Sequence, residues 1–278
     1  MFRDRKLLIA TKHHKEAVIA PLFEKEFGVS CFTTPNFDTD VFGTFSGEVE
    51  RKNSAIETLR EKCISAYQAT QCDLVVASEG SFGPHPTLFF GNVNEELVML
   101  KDFRNDIEIM AREISLETNF NGRTITHRTD LLDFAKQVDF PSHGIILKST
   151  SKNTSKIYKG IVSEDDLIKR FDALELENKS VYAETDMRAL FNPTRMKVIQ
   201  KATQKLIEKI KNQCPNCGLP GLDINKSVSG LLCENCHLPT QSILKNIYQC
   251  KKCDFTEEKF YPRGITFEDP TYCDNCNP

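Results

Sequence analysis

The chain of 278 residues contains no long apolar run. Its first apolar stretch, Leu7 to Ala10, follows a charged start. That stretch is too short for the core of a signal peptide and far too short to cross a bilayer. The sequence therefore predicts a protein without a membrane segment, and we expect it in the cytoplasm.

The common hydrolase signatures are also missing. The chain has no Gly-x-Ser-x-Gly, no Walker phosphate-binding loop and no His-Glu-x-x-His, which removes the best-known catalytic motifs. Excess positive charge is missing too, since the net charge is −3 and the pI is near 6.1. The whole molecule therefore has no general attraction to nucleic acid or anionic membranes.

Cysteine, in contrast, is concentrated in the last quarter of the chain. Eight of the eleven cysteines form four Cys-x-x-Cys pairs. Two such pairs supply the four thiolates of a tetrahedral zinc site. The pattern predicts two zinc ions, with these ligands: Cys214, Cys217, Cys233, Cys236, Cys250, Cys253, Cys273 and Cys276.

The spacing of the pairs bears on which cysteines share an ion. The intervals are fifteen, thirteen and nineteen residues, and the first and third suit a four-cysteine site. The simplest prediction is sequential, with pairs one and two on one ion and pairs three and four on the other. An interleaved arrangement uses the same residues and stays open. A disulfide framework would need an oxidising compartment, and the sequence predicts no signal peptide, so we favour zinc. A four-cysteine site is closed, so we expect both zinc ions to be structural.

The rest of the chain predicts an α/β domain over residues 1–212, a mixed sheet flanked by helices. A small double zinc-ribbon-like module follows over residues 213–278. The opening reads as a strand, a helix closed by Gly28 and a second strand. Cys72 to Ser78 reads as a buried strand, and Glu79 to Pro86 as a turn that ends it. A hairpin around 92–94 is expected to follow.

Several segments resemble the inosine/xanthosine triphosphate pyrophosphatase fold. They are Ala10-Thr11-Lys12-x-x-Lys15-Glu16, Glu57-Thr58-x-x-x-Lys62, Ser78-Glu79-Gly80 and Asn192-Pro193-Thr194-Arg195. In that family the first segment holds a triphosphate, the second supplies Glu and Lys, and an acidic strand end binds Mg²⁺. The resemblance implies a Mg²⁺-dependent hydrolase of a nucleotide or another phosphorylated small molecule.

A second resemblance extends over nearly the whole chain. It rests on 38–45, 78–86, 117–120, 185–188 and the terminal cysteine pairs. Together these segments are similar to an uncharacterised bacterial family, a domain of unknown function. This resemblance implies no activity.

The residues themselves allow a ligand cleft at the strand ends, because open α/β sheets place ligands there. The candidate catalytic residues are Glu79, His85 and Asp40, and the candidate nucleotide or phosphate ligands are Lys12, Lys15, Arg188 and Arg195. Asp38, Asp40 and Glu48 could join Glu79 in holding Mg²⁺. Each residue also has an ordinary structural explanation: solvated lysines, a turn-bracing carboxylate, a histidine packed between prolines, or an arginine in an ion pair.

The alternative is a zinc-ribbon module that binds nucleic acid or docks a protein without catalysis. The predicted helix over 194–211 favours it, with six basic residues against one acidic residue. The zinc-binding module itself carries six basic and eight acidic residues and lacks the dense basic and aromatic face of a nucleic-acid reader.

Overall fold

The structure is a computed structural model that describes residues 1–35, 37, 53–84, 91–150 and 156–278. The chain forms two compact units, Met1–Ile207, here called the body, and Glu208–Pro278, here called the cysteine unit. Among the described residues, no helix combines the length and apolar character that crossing a membrane requires.

The elements follow one another as an α/β chain with a terminal β-sheet. In chain order they are β1 (Lys6–Ala10), α1 (Glu16–Phe27), β2 (Ser30–Phe32), α2 (Ala55–Thr70), β3 (Leu74–Pro84), β4 (Asn92–Asp102), β5 (Ile107–Ser115), β6 (Gly122–Ile125), α3 (Arg128–Gln137), β7 (Ile145–Lys148), β8 (Ile157–Ile161), α4 (Glu164–Glu175), β9 (Val181–Thr185), α5 (Pro193–Lys211), β10 (Asp223–Ser229), β11 (Ile243–Gln249) and β12 (Thr256–Phe260). The predicted fold class, a mixed sheet flanked by helices, is confirmed.

The first sheet of the body has five strands in the order β2-β1-β3-β4-β5. Strand β1 runs parallel to both of its neighbours, whereas β3, β4 and β5 pair antiparallel. One face packs on α2 through Leu59, Cys63 and Ala66. The opposite face presents Glu96 and Glu113, which pair with side chains of α5. Both faces are therefore covered by helices.

The prediction that β3 ends at Ser78 is wrong, as is the hairpin around 92–94. Strand β3 continues to Pro84, and Ser78–Pro84 pairs residue by residue with Asn92–Val98 of β4. The two glycines and the proline do not stop the strand, because its pairing with β4 continues through the whole segment. As a result Glu79 lies inside β3 and not at its end.

The second sheet of the body is antiparallel, in the order β6-β9-β7-β8. It packs on α3 and α4 through a core that includes Phe134, Leu147, Phe171 and Val181. The helix ends follow the local sequence. Ser163 accepts a hydrogen bond from the Asp166 backbone as the N-cap of α4, as its position before three acidic residues predicts.

The cysteine unit is built on a three-stranded antiparallel sheet, β10-β11-β12. Its described core is small and contains Cys214, Leu222 and Cys250, with Tyr248 and Phe255 against them. Cysteine side chains thus take up core positions that apolar residues fill in the body. The stability of this unit must come largely from something other than buried apolar area.

Candidate metal centres and a buried charge cluster

The eight paired cysteines form two groups of four. One group is Cys214, Cys217, Cys250 and Cys253, and the other is Cys233, Cys236, Cys273 and Cys276. Within each group the sulfur atoms all lie within 4.8 Å of one another, and the contacts between pairs measure 3.6 to 3.8 Å. A tetrahedral zinc ion with Zn–S bonds of about 2.3 Å requires sulfur atoms about 3.8 Å apart. The donor sets therefore fit two closed, structural zinc sites.

The pairs are interleaved, so the sequential prediction is wrong. Pairs one and three form one site, and pairs two and four form the other. The antiparallel direction of the strands explains this arrangement. Asp223 at the start of β10 lies opposite Gln249 at the end of β11, so the pair before β10 meets the pair after β11. Each interval between pairs contains a strand, so successive pairs alternate between the two ends of the sheet.

Each site has a matching hydrogen bond from an asparagine to a sulfur. The side-chain amide of Asn216 donates to Cys253 Sγ at 3.4 Å, and that of Asn235 donates to Cys276 Sγ at 3.5 Å. In both sites the amide bond lowers the pKa of the thiol and so favours the thiolate that binds metal; the pKa of Cys253 falls to about 6, whereas the neighbouring cysteines and burial raise that of Cys276 to about 11. Our sequence prediction did not include these asparagines. The repeat that marks them is Cys-x-Asn-Cys-x-Leu-Pro, at 214–220 and at 233–239.

The body has a separate polar centre where β1 ends. Ala10, the last residue of β1, lies opposite Ala77 of β3, so Ser78 and Glu79 extend past the end of β1. Six buried polar or charged side chains gather here. We call them the charge cluster: Lys15, Lys62, Ser78, Glu79, Glu96 and Arg195.

Two ion pairs account for both carboxylates of the charge cluster. Lys62 of α2 pairs with Glu79 on one face of the sheet. On the other face, Arg195 Nε of α5 donates to Glu96 Oε1 at 2.6 Å, and both side chains are fully buried. Buried charges persist only when they are paired in this way. Our prediction missed Glu96, although the alternation of Asn94, Glu96 and Val98 along β4 places it on an inward face.

The third cation of the charge cluster is Lys15. It is 7% exposed, and its Nζ lies 2.9 Å from Ser78 Oγ. Burial lowers the pKa of Lys15 to about 7, and the positive charges of Arg195 and Lys62 act in the same direction. The structure thus brings the predicted Lys15, Glu79 and Arg195 into one centre.

Gly80 makes the tight approach of Arg195 possible. A Cβ built at Gly80 would lie 2.5 Å from Arg195 Nη2 and 2.5 Å from Glu96 Oε1. Glycine leaves room for this pair against β3, whereas a larger residue would force the ends of the Arg195 and Glu96 side chains to shift. The glycine of the Ser78-Glu79-Gly80 segment therefore accommodates the ion pair between Arg195 and Glu96.

The remaining predicted residues divide into three groups. Lys12 is exposed at the start of the turn that leads to Lys15. Arg188 binds Asp186 through Nη2 at 2.6 Å and lies over the Phe191 ring, which is the ion pair that the sequence offered as its structural explanation. His85 and Asp40, with Asp38 and Glu48, lie outside the described residues.

A cleft of about 370 Å³ opens in the body beside the charge cluster. Its walls include the stacked rings of Phe82 and Phe120, with centroids 5.7 Å apart. Tyr182 and Glu184 form another part of the lining. Phe82 connects the cleft to the charge cluster, because the Arg195 guanidinium lies 5.2 Å from its ring centroid.

Comparison with known proteins identifies the family. The profile described as "Domain of unknown function (DUF6671)" matches residues 62–278. The chain belongs to this family. The predicted resemblance to an uncharacterised family is thereby confirmed, and the family description adds no activity.

The other comparisons are less informative. No curated protein matches the chain. Among solved structures it is similar to the "Crystal structure of protein VC0702 from Vibrio cholerae", with 11% identity and a TM-score of 0.33. That match covers 75% of this chain and 96% of the other.

Proposed function

We propose that the body binds a nucleotide or another phosphorylated small molecule at the charge cluster and hydrolyses it with the help of Mg²⁺. The observation that supports this proposal is the cluster itself, with three cations against two carboxylates beside the end of β1. A buried excess of positive charge at a strand end suits a phosphate group. The two cysteine sites would stabilise the fold and take no part in the chemistry.

The contacts assign different tasks to the three cations. Lys15, at the start of α1, is the one whose ammonium is not held by a carboxylate among the described residues, so it would meet the phosphate. The exposed Lys12 would contact the same group from the turn before α1. Arg195 and Lys62 would add positive potential while their own carboxylates hold them in place.

The cleft next to the cluster would accommodate the rest of the substrate. Its aromatic pair, Phe82 and Phe120, offers a flat apolar surface, and Tyr182 and Glu184 offer polar groups. This combination suits a planar ring that carries hydrogen-bonding atoms. A nucleoside meets that description, which is why a nucleotide leads the candidate substrates.

The Mg²⁺ requirement rests on the sequence. In the described part of the chain, both carboxylates of the charge cluster are already paired with cations, and the groups able to hold a metal consist of cysteines. These side chains alone do not fit Mg²⁺, which prefers several oxygen ligands. Asp40 and its acidic neighbours would have to supply them.

The experiment is a thermal-shift screen of the zinc-loaded protein against a panel of nucleotides and sugar phosphates, with and without Mg²⁺. Release of phosphate and pyrophosphate is followed in the same wells. We expect Mg²⁺-dependent turnover of at least one nucleoside triphosphate, lost in Lys15→Met and kept in Lys25→Met, an exposed lysine of the same helix. No shift and no turnover with any compound would refute the proposal.

The alternative, nucleic-acid binding through residues 194–211, is less favoured by the contacts. Lys205 pairs with Glu113, Lys209 pairs with Asp223, and Arg195 is buried. Much of the positive charge of this helix is therefore neutralised within the protein. Salt-sensitive RNA binding that is lost in Lys201→Glu/Lys205→Glu would reverse this preference.

A further inference from the structure

The surroundings of Lys15 differ from those of the other two cations. Its Nζ has a hydroxyl, Ser78 Oγ, as its hydrogen-bond partner among the described residues. In the part of the chain that the structure describes, four charged groups act on it from neighbouring elements: Lys62 of α2, Glu79 of β3, Glu96 of β4 and Arg195 of α5. Each of these carboxylates is already in contact with one of these cations.

The charges of this centre do not balance when Lys15 is protonated. Two cations and two carboxylates neutralise each other in pairs, and the Lys15 ammonium remains without a carboxylate in the described part of the chain. An isolated charge buried to this extent is expensive, so such a group tends to give up its proton. An anion bound beside Lys15 would stabilise its protonated, charged form.

The partner of Lys15 suits both protonation states. A serine hydroxyl accepts a hydrogen bond from an ammonium and donates one to a neutral amine after a simple rotation. A carboxylate in the same place would fix the lysine in its charged form. The choice of Ser78 therefore leaves the charge of Lys15 free to change.

We propose that the charge cluster is a proton-linked anion site, in which a divalent oxyanion such as a phosphate group binds together with one proton that is taken up by Lys15. This inference rests on the proposed phosphate site and adds its regulation by pH. The lowered pKa of Lys15, about 7, agrees with the geometry. A bound anion raises this pKa, so binding removes protons from solution above neutral pH.

Sulfate is the probe that isolates the effect, because it has the charge of a phosphate dianion and no proton to lose near neutral pH. The full-length, zinc-loaded protein is titrated with sulfate by calorimetry at pH 6, 7 and 8.5. At each pH the titration is repeated in two buffers of different ionisation enthalpy. The dependence of the measured heat on the buffer gives the number of protons taken up.

We expect an uptake of about one proton per sulfate at pH 8.5, about half a proton at pH 7 and about a tenth at pH 6, given a free-state pKa of about 7. The dissociation constant should rise by about tenfold per pH unit above 7. Lys25→Met, which removes an exposed lysine at the other end of α1, should behave as the wild type. Lys15→Arg, which stays charged, should bind without proton uptake.

The wild-type titration tests proton uptake on sulfate binding even when a variant fails to fold. Sulfate binding at pH 8.5 without proton uptake, or no sulfate binding at pH 6, would overturn the inference. The proposed hydrolase activity is judged separately. Turnover of a nucleotide without proton-linked sulfate binding would leave the proposed function standing and this inference refuted. Proton-linked binding without turnover would do the reverse.

Discussion

The body and the cysteine unit both bring polar side chains together, but they do so in different ways. In the cysteine unit eight thiols converge in two closed groups, and the described core around them is small. In the body each sheet has its own apolar core, and the charge cluster lies where β1 of the first sheet ends. The first arrangement has the donor sets for metal ions, whereas in the second, among the described residues, carboxylates pair with two of the three cations.

This difference supports the proposal that a ligand binds in the body. A tetrahedral site with four thiolate ligands has no open position, so it stabilises the fold and offers nothing to a substrate. A buried lysine with a hydroxyl partner is costly to the fold, and groups of this kind are common at functional sites. This contrast is the basis for proposing a structural role for the cysteine unit and ligand binding for the body.

Removal of zinc should give the largest effect and should affect the two regions unequally. A structural zinc site contributes about 10–16 kcal/mol in small domains. Chelation at neutral pH should therefore unfold Glu208–Pro278 and leave the apolar cores of Met1–Ile207 intact. Amide hydrogen exchange followed by mass spectrometry measures both regions at once. Added zinc should restore the protection of the cysteine unit from exchange. Equal protection of this unit before and after chelation would contradict the predicted role of zinc.

Loss of Arg195 should be the most damaging single change in the body. Arg195→Met leaves Glu96 buried without a partner, and we expect the free energy of unfolding to fall by about 3–5 kcal/mol. The double variant Arg195→Met/Glu96→Leu should recover most of this loss. Arg60→Met, which breaks the exposed pair with Glu108, serves as the control and should cost under about 1 kcal/mol. Urea unfolding of the body measures all of them, and equal effects of Arg195→Met and Arg60→Met would show that the burial is unimportant.

Lys15 should destabilise the free protein in a way that depends on pH. Its pKa is lowered to about 7 by folding, so between pH 7 and about 10.4 the unfolded chain binds the additional proton and stability rises with pH. Relative to wild type, Lys15→Met should therefore be stabilised below pH 7 by an amount on the order of a few kcal/mol. This advantage should shrink as the pH rises towards 10. A difference that does not vary with pH would show that Lys15 keeps its proton.

The asparagine bonds to sulfur should give the smallest effect. Asn216→Ala or Asn235→Ala removes a hydrogen bond to a metal ligand, and such losses typically cost about tenfold or more in metal affinity. Asn225→Ala, which removes an exposed amide bond on β10, should leave the affinity unchanged. Competition with a chromophoric chelator measures the three variants side by side. An unchanged affinity in Asn216→Ala would mean that the thiolates alone determine zinc binding.

Much of the fold could be predicted because local signals agreed with the final structure. Gly28 ends α1 with a φ of 63°, and Ser163 caps α4. The cysteine ligands follow from spacing alone. What the sequence did not reveal was long-range pairing. Gly80 and Gly83 resemble turn residues until β4 is seen to pair with the whole of Ser78–Pro84.

The errors at the two sites have the same physical origin. Which cysteine pairs share an ion depends on the direction of β10 and β11, and the intervals between pairs do not contain that information. Glu96 was missed because its partner, Arg195, lies 99 residues further along the chain. Arg188 was attractive as a phosphate ligand, but its neighbour Asp186 already binds it.

Interleaved ligation is the central prediction for the cysteine unit, and a count of the zinc ions bound per molecule tests it most directly. Native mass spectrometry should find one zinc ion in Cys214→Ser/Cys250→Ser, because both changes fall in one site. It should find none in Cys214→Ser/Cys233→Ser, where each site loses a ligand, and two in the control Cys31→Ser. One ion in the Cys214/Cys233 variant and none in the Cys214/Cys250 variant would contradict the account and restore sequential ligation.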